Sequence, residues 1–152
     1  MIKLVVVGKI KDKHLQALID DYALKINKYH KIQIIEVKDE PIKDNDKHVL
    51  DIEAQRAIDK IKDNEYVIVL DLHGKESDSI KFAEKLDKLF INNSHITFVI
   101  GGSLGLGEKL IKRANERLKL SEMTFLHSMT RLILLEQIYR AFKINNNEIY
   151  HK

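Results

Sequence analysis

The sequence predicts an α/β fold with a mostly parallel sheet and helices on both faces, and three observations carry that reading. Short apolar runs alternate with longer segments whose apolar residues recur at spacings of three and four. Several runs are apolar throughout, as strands covered on both faces must be. Four of the six glycines fall within seven residues directly after one such run, where α/β folds place their ligand loops. A length of 152 residues suits one domain spanning 1–152 with a single adequate core.

The elements follow in order. Ile2–Val7 reads as a strand closed by Gly8. From Lys13 to Tyr29, Leu15, Leu18, Ile19, Tyr22, Ile26 and Tyr29 form the stripe of an amphipathic helix. Ile32–Val37 is a second strand, and the charged stretch from Lys38 to Lys47, with the only proline, Pro41, is an exposed loop. Val49, Ile52, Ala57, Ile58 and Ile61 define a helix from about Asp46 to Lys62. Tyr66–Leu70 is a third strand, ending at the polar loop Asp71–Gly74. Ser77 or Asp78 caps the next helix, which carries Ile80, Phe82, Ala83, Leu86, Leu89 and Phe90 and stops at Asn92–Ser94. Ile96–Ile100 is a buried strand, and Glu108–Ala114 has helical spacing. The mixed stretch Leu118–Phe125 reads as a strand with a loop. Thr130 caps a last helix to about Lys143, apolar over most of its circumference. Such a helix needs more than one partner surface, which a central core position or a second subunit would supply. The polar tail Asn145–Lys152 has the composition of a frayed end.

The glycine loop, with Gly101, Gly102, Gly105 and Gly107, allows positive φ and close backbone approach to a ligand. It lacks the usual phosphate signatures. Glu108 stands where a P-loop lysine would follow Gly107, and its carboxylate would repel a phosphate. The dinucleotide fingerprint fails at Leu110, where the third glycine belongs.

Composition narrows the classes further. No apolar run reaches membrane-span length and no signal-peptide core is present. There is no cysteine, which excludes disulfides and thiolate metal sites and fits a cytoplasmic protein. The seven histidines show no metal-ligand spacing, so no metal is expected. The net charge of +3 is unevenly placed, with nine Lys/Arg against five Asp/Glu in residues 108–152. That excess is compatible with a polyanion such as RNA, and equally with a solvated surface.

Four ordered blocks carry a resemblance. They are Phe98-Val99-Ile100-Gly101-Gly102-Ser103-x-Gly105-Leu106, then Ser121-x-Met123-Thr124-Phe125-x-His127, then Arg131 with Glu136-Gln137-x-Tyr139-Arg140-Ala141-Phe142-Lys143-Ile144, and the terminal Tyr150-His151-Lys152. Together they resemble the RlmH-type methyltransferases of the SPOUT superfamily. One departure is Leu126, where the family often has a proline that would stiffen the turn.

The resemblance implies a C-terminal trefoil knot, a homodimer and an S-adenosylmethionine-dependent enzyme. Its substrate would be N3 of a pseudouridine in 23S ribosomal RNA, in the helix 69 stem-loop of the assembled ribosome. Carried over position by position, it implies a cofactor pocket of Leu70, Gly101, Leu120, Ser121, Glu122, Met123, Thr124 and Phe125. A donor without phosphate needs apolar walls and backbone hydrogen bonds, so the missing lysine is no loss. The groups implied for chemistry are Glu136, Arg140, Tyr150 and His151. Arg140 suits a carbonyl or phosphate, Tyr150 suits stacking on the base, and His151 suits proton transfer. His127 and Arg131 are expected near the pocket mouth. Without the resemblance, Met123 and Phe125 would read as core, and Glu136 with Arg140 as a surface ion pair. The rival reading is a non-catalytic RNA- or ribosome-binding α/β protein.

Overall fold

A computed structural model describes all 152 residues. Five strands form one sheet in the order β2-β1-β4-β3-β5, and every pairing in it is parallel. The strands are β1 (Ile2–Val7), β2 (Ile32–Val37), β3 (Tyr66–Glu76), β4 (Ile96–Ile100) and β5 (Glu116–Lys119). Between them run α1 (Lys13–Asn27), α2 (Asp46–Ile58), α3 (Ser79–Asn92) and α4 (Glu108–Arg113), and α5 (His127–Asn145) follows.

The central strands β1 and β4 are buried along their whole length. Their alternate side chains feed two cores. Leu4, Val6, Phe98 and Ile100 pack under α1, α3 and α5. Val5, Val7 and Val99 pack under α2 and α4. Continuous apolar runs are therefore required, because neither face of the sheet meets water.

Caps set the helix starts. Asp12 accepts the His14 and Leu15 N–H groups at α1, Asn45 accepts that of His48 at α2, and Asp78 accepts that of Lys81 at α3. Of the two expected caps for α3, Asp78 is the one used. The first helix ends at Asn27 and the second at Ile58, each slightly short of the sequence reading.

Three expectations need correction at the carboxyl-terminal side. The third strand does not stop at Leu70. Leu70 and Lys75 both pair with Leu118, so residues 71–74 bulge out and the strand resumes to Glu76. The fifth strand begins at Glu116 and ends at Lys119, earlier than the apolar residues of 118–125 suggest. The last helix starts at His127 rather than after Thr130, with Leu126 in the capping position. Thr130 lies inside it, its hydroxyl donating to the Leu126 carbonyl at 3.3 Å.

The path after β5 positions the site. From this edge strand, residues 120–126 cross the carboxyl ends of the sheet to β1. There His127 Nε2 lies 3.8 Å from where a Cβ on Gly8 would sit. One turn further, Arg131 donates to Glu36 Oε2 at 2.8 Å and to the Gly8 carbonyl at 3.2 Å. The last helix is thus pinned to β1 and β2 before it packs between α1 and α3.

Candidate active site

Two loops face each other at the carboxyl ends of β3, β4 and β5. One is the glycine loop, the other is residues 120–126. They enclose a cleft of about 580 Å³, within the usual range for a small-molecule site. Its walls are mostly apolar, with Leu70, Leu72, Leu106, Leu120, Met123 and Phe125 among them. The glycine loop turns tightly. A Cβ on Gly101 would lie 2.2 Å from the Gly105 carbonyl oxygen, and Gly105 itself has φ of 89°. No other residue type fits the first position without moving backbone, and the second favours glycine. The walls therefore offer unhindered backbone at Gly101 and apolar side chains opposite.

Of the sequence-derived pocket residues, Leu70, Gly101, Leu120, Ser121, Met123, Thr124 and Phe125 line this cleft. Glu122 does not. Its carboxylate turns away to pair with Lys119, so at most its backbone faces a ligand. Ser121 shapes the loop, its Oγ accepting the Met123 N–H at 3.0 Å. His127 lines the cleft as expected. Arg131 does not stand at the mouth but is buried beneath it, with only 2% of its surface exposed. Its Nε has no partner.

The remaining four candidates come together elsewhere, on the outer face of α5. Glu136 and Arg140 form the i,i+4 pair, Arg140 Nη2 donating to Glu136 Oε1 at 2.5 Å. The same oxygen accepts from the Tyr150 hydroxyl at 3.0 Å. The Arg140 guanidinium lies 4.7 Å over the Tyr150 ring. Arg140 Nη1 and His151 Nδ1 are 3.1 Å apart. Arginine can only donate, so Nδ1 is the acceptor and the imidazole proton sits on Nε2. The Tyr150 hydroxyl is held well above the usual tyrosine range by burial, by the nearby Tyr22 and by the Glu136 carboxylate. It therefore stays a neutral donor.

The tail reaches these groups because α5 ends in a Schellman turn. Asn147 adopts the left-handed conformation with φ of 54°. Its N–H bonds the Ile144 carbonyl at 3.1 Å, and the Glu148 N–H bonds that of Lys143 at 2.9 Å. The chain reverses there and runs back along the helix. Glu148 fixes the return, accepting from Lys143 Nζ at 2.7 Å and from the Tyr29 hydroxyl at 2.9 Å. The Tyr150 ring then meets the edge of Tyr139 at 5.1 Å. The polar Asn145–Asn147 run looks like an unravelled end in composition, and the left-handed propensity of asparagine was the signal against it.

Sequence reasoning missed Gln137 and Ser79. The Ser79 hydroxyl donates to Gln137 Oε1 at 2.6 Å, and Gln137 Nε2 donates to Glu136 Oε2 at 2.9 Å. Both line a second hollow of about 610 Å³ together with His151, Leu120 and Phe125. This hollow joins the tail to the outer wall of the cleft. The Glu136-Gln137 dipeptide was the only trace of it in the sequence.

A parallel sheet with a glycine loop facing a crossing segment, and a polar cluster on the helix that follows, is an arrangement that can hold a small molecule and offers polar groups for chemistry. The family model described as "Predicted SPOUT methyltransferase" matches residues 1–151, and the chain belongs to the SPOUT methyltransferase family. Among its relatives are three proteins named Ribosomal RNA large subunit methyltransferase H. The one from Acetivibrio thermocellus is 46% identical over 157 aligned residues. That of Clostridium perfringens strain 13 is 48% identical, and that of Enterococcus faecalis 46%. Each alignment covers 99% of both chains. A solved structure of a probable methylase family protein from Haemophilus influenzae Rd KW20 shares the fold, with a TM-score of 0.55 at 16% identity. It covers 99% of this chain and 70% of that one.

Proposed function

We propose that the protein transfers a methyl group from S-adenosylmethionine to N3 of a pseudouridine in the helix 69 stem-loop of 23S ribosomal RNA, on the assembled ribosome. The observation that carries this reading is the cleft between the glycine loop and residues 120–126. It is apolar, open to backbone at Gly101 and without a lysine for phosphate. The chain's whole-length similarity to large-subunit ribosomal RNA methyltransferases supports ribosomal RNA as the class of substrate. Leu70, Leu120, Met123 and Phe125 would enclose the adenine, and the backbone around Gly101 would hydrogen-bond the donor. When bound, S-adenosylmethionine supplies an electrophilic methyl group. No helix is long and apolar enough to cross a membrane, and a ribosomal substrate would be met in the cytoplasm.

The acceptor nitrogen carries a proton between two carbonyls, so the protein must hold the base and take that proton. Tyr150 stacks on or donates to the base, and Arg140 binds a carbonyl or a flanking phosphate. In the arrangement described here Arg140 occupies His151 Nδ1. When Arg140 turns to the RNA, Nδ1 is freed to accept the proton, with Glu136 holding Arg140 in place.

These groups work on a cleft that belongs to a second copy of the chain. Glu136 and Arg140 lie nine and thirteen residues beyond His127, about 13–20 Å along the helix axis. That is too far for them to touch a methyl group held beside His127 in the same chain. A homodimer with antiparallel α5 helices would bring each cluster to the partner's cleft. Leu72, Met123 and Leu126, at 52%, 74% and 65% exposure, give the cleft rim an apolar surface to bury. The crossing of residues 120–126 behind the glycine loop is where the family's trefoil knot would lie.

The test is transfer of labelled methyl to intact ribosomes and to naked ribosomal RNA, with the product nucleoside identified. Label in 3-methylpseudouridine from ribosomes, and little from naked RNA, is the expected result. Absence of label from both overturns the reading.

A further inference from the structure

A cavity larger than the proposed donor cleft lies beside it. It measures about 1050 Å³ and opens over the carboxyl ends of β2 and β1, with Gly102 and Ser103 of the β4 loop closing its inner side. The neighbouring strands β1 and β4 are followed by helices on opposite faces of the sheet, α1 on one and α4 on the other. Their loops diverge, and the gap is the switch point at which parallel sheets bind ligands. The proposed donor cleft lies beside this gap, over β3, β4 and β5, and leaves it unused. The two cavities share Gly102, Ser103, Leu126 and His127 as a common wall.

One group in the crevice is unusual. Glu53 of α2 is 5% exposed and lines the cavity. Its Oε2 accepts the Glu40 N–H at 2.9 Å. Its Oε1 has no protein partner and lies 3.2 Å from where a Cβ on Gly102 would project. Any side chain at 102 would crowd that oxygen. That oxygen opens into the cavity, placed to accept from a ligand that enters it. Three of the four other acids here are occupied: Asp12 caps α1, Glu36 pairs with Arg131 and Glu40 pairs with Arg56. Lys9, Lys11 and Lys38 stand exposed around the opening without an ion-pair partner, against Asp39 alone.

We propose that this crevice binds a second unpaired nucleotide of the RNA substrate, flanking the methylated one, with its exocyclic amine on Glu53 and its phosphate on Lys9 and Lys11. Unpaired loop nucleotides are the part of an RNA that offers base edges to a protein. A carboxylate oxygen is the natural partner for an exocyclic amine. A uracil presents a carbonyl there and would be repelled. The shared wall places this nucleotide next to the methyl donor, so it would set the position of the acceptor along the strand. The proposal rests on the RNA-methyltransferase reading above.

Two measurements test it. Isotope-labelled protein saturated with S-adenosylhomocysteine is titrated with cytidine 5′-monophosphate or uridine 5′-monophosphate. Cytidine monophosphate is expected to shift the Gly8 and Gly102 amides, and uridine monophosphate much less. Glu53→Gln is close in shape and removes no packing; it should erase the difference. No shift in the crevice with either nucleotide, or equal shifts that survive Glu53→Gln, overturns the proposal. In the second measurement, Lys9→Gln/Lys11→Gln should raise KM for ribosomes about tenfold and lower the salt slope of binding by about two. Affinity for S-adenosylmethionine should not change. An unchanged KM overturns the proposal while leaving methyl transfer established. Loss of transfer in the wild type would instead overturn the reading beneath it, and the nucleotide titration would still decide the crevice.

Discussion

The two ends of the sheet treat buried charge in opposite ways. At the amino ends, Lys3 of β1, Thr97 of β4 and Glu65 before β3 form a closed network. Lys3 Nζ donates to Glu65 Oε1 at 2.5 Å and to the Lys60 carbonyl at 2.8 Å, and Thr97 donates to Glu65 Oε2 at 2.6 Å. Lys3 and Thr97 are register partners, so the strands themselves set the geometry. At the carboxyl ends, Glu53 and Arg131 are as deeply buried, yet Glu53 Oε1 and Arg131 Nε are left without partners. One end spends its polar groups on each other. At the other, Arg131 ties α5 to β1 and β2 while Glu53 Oε1 is left facing the crevice, and the clefts lie there.

The contrast is broken most severely from the functional end. Deleting Tyr150–Lys152 removes both tail groups from the Glu136–Arg140 pair without touching the core. Methyl transfer to ribosomes is expected to fall about 10²–10⁴-fold, with S-adenosylmethionine affinity by calorimetry largely intact. Full activity in the truncated protein would sink the role given to the tail.

The opposite break is Lys3→Met. It leaves Glu65 charged and buried, and should cost about 3–5 kcal/mol in urea unfolding. Transfer per folded molecule should stay the same, because the network faces away from both clefts.

The two buried carboxyls should also respond oppositely to acid. Burial alone would raise Glu65, but the hydrogen bonds from Lys3 and Thr97 outweigh it and hold its pKa below the usual range. Its stabilising contribution is complete above about pH 4.3 and is lost as pH falls through the lowered value. Glu53 is raised by burial, only partly offset by the Glu40 N–H. Its ionisation costs stability as pH rises from about 4.3 through the raised value. Melting curves between pH 3 and 7 should show Glu65→Gln flattening the acid loss. Glu53→Gln should gain most at the neutral end. Equal pH dependence in the two variants would contradict the comparison.

The smallest effect belongs to the loop. Leu126 has φ of −57°, within the proline range, and its N–H makes no hydrogen bond. Leu126→Pro should therefore stabilise the protein by about 0.4–1 kcal/mol, read as a small rise in melting temperature.

Much of the fold was legible because buried strands and amphipathic helices have different periods. Ile2–Val7 and Ile96–Ile100 are visible as apolar runs because both faces of the central strands are covered; the edge strand Ile32–Val37 shows through its isoleucines and Val37 despite Gln33 and Glu36. The bulge at Asp71–Gly74 was not legible, since polar residues after a strand look the same whether the ladder ends or resumes beyond them. Helix α5 was read one turn short because Thr130 resembles a cap, whereas the true start at Leu126 has no capping side chain. The glycine-loop wall was legible from its clustered glycines, whereas the 120–126 wall and the tail cluster were found only through the family motifs. Met123 and Phe125 carry no mark distinguishing a ligand wall from a core. Glu53 and Arg131 were invisible as buried groups, because burial of a charged residue depends on distant partners and not on its neighbours in the chain.

The last helix has a role that packing alone does not describe. It is anchored at one end by Arg131 to β1 and β2, and it carries the polar cluster at the other. Being a single rigid rod, it works as a gauge with a phase as well as a length. One residue inserted between Arg131 and Glu136 would advance the cluster by only about 1.5 Å but swing it through about 100° around the axis. Glu136 and Arg140 would then point at a different neighbour. The spacing within α5 therefore admits no insertion between its anchor and its polar cluster.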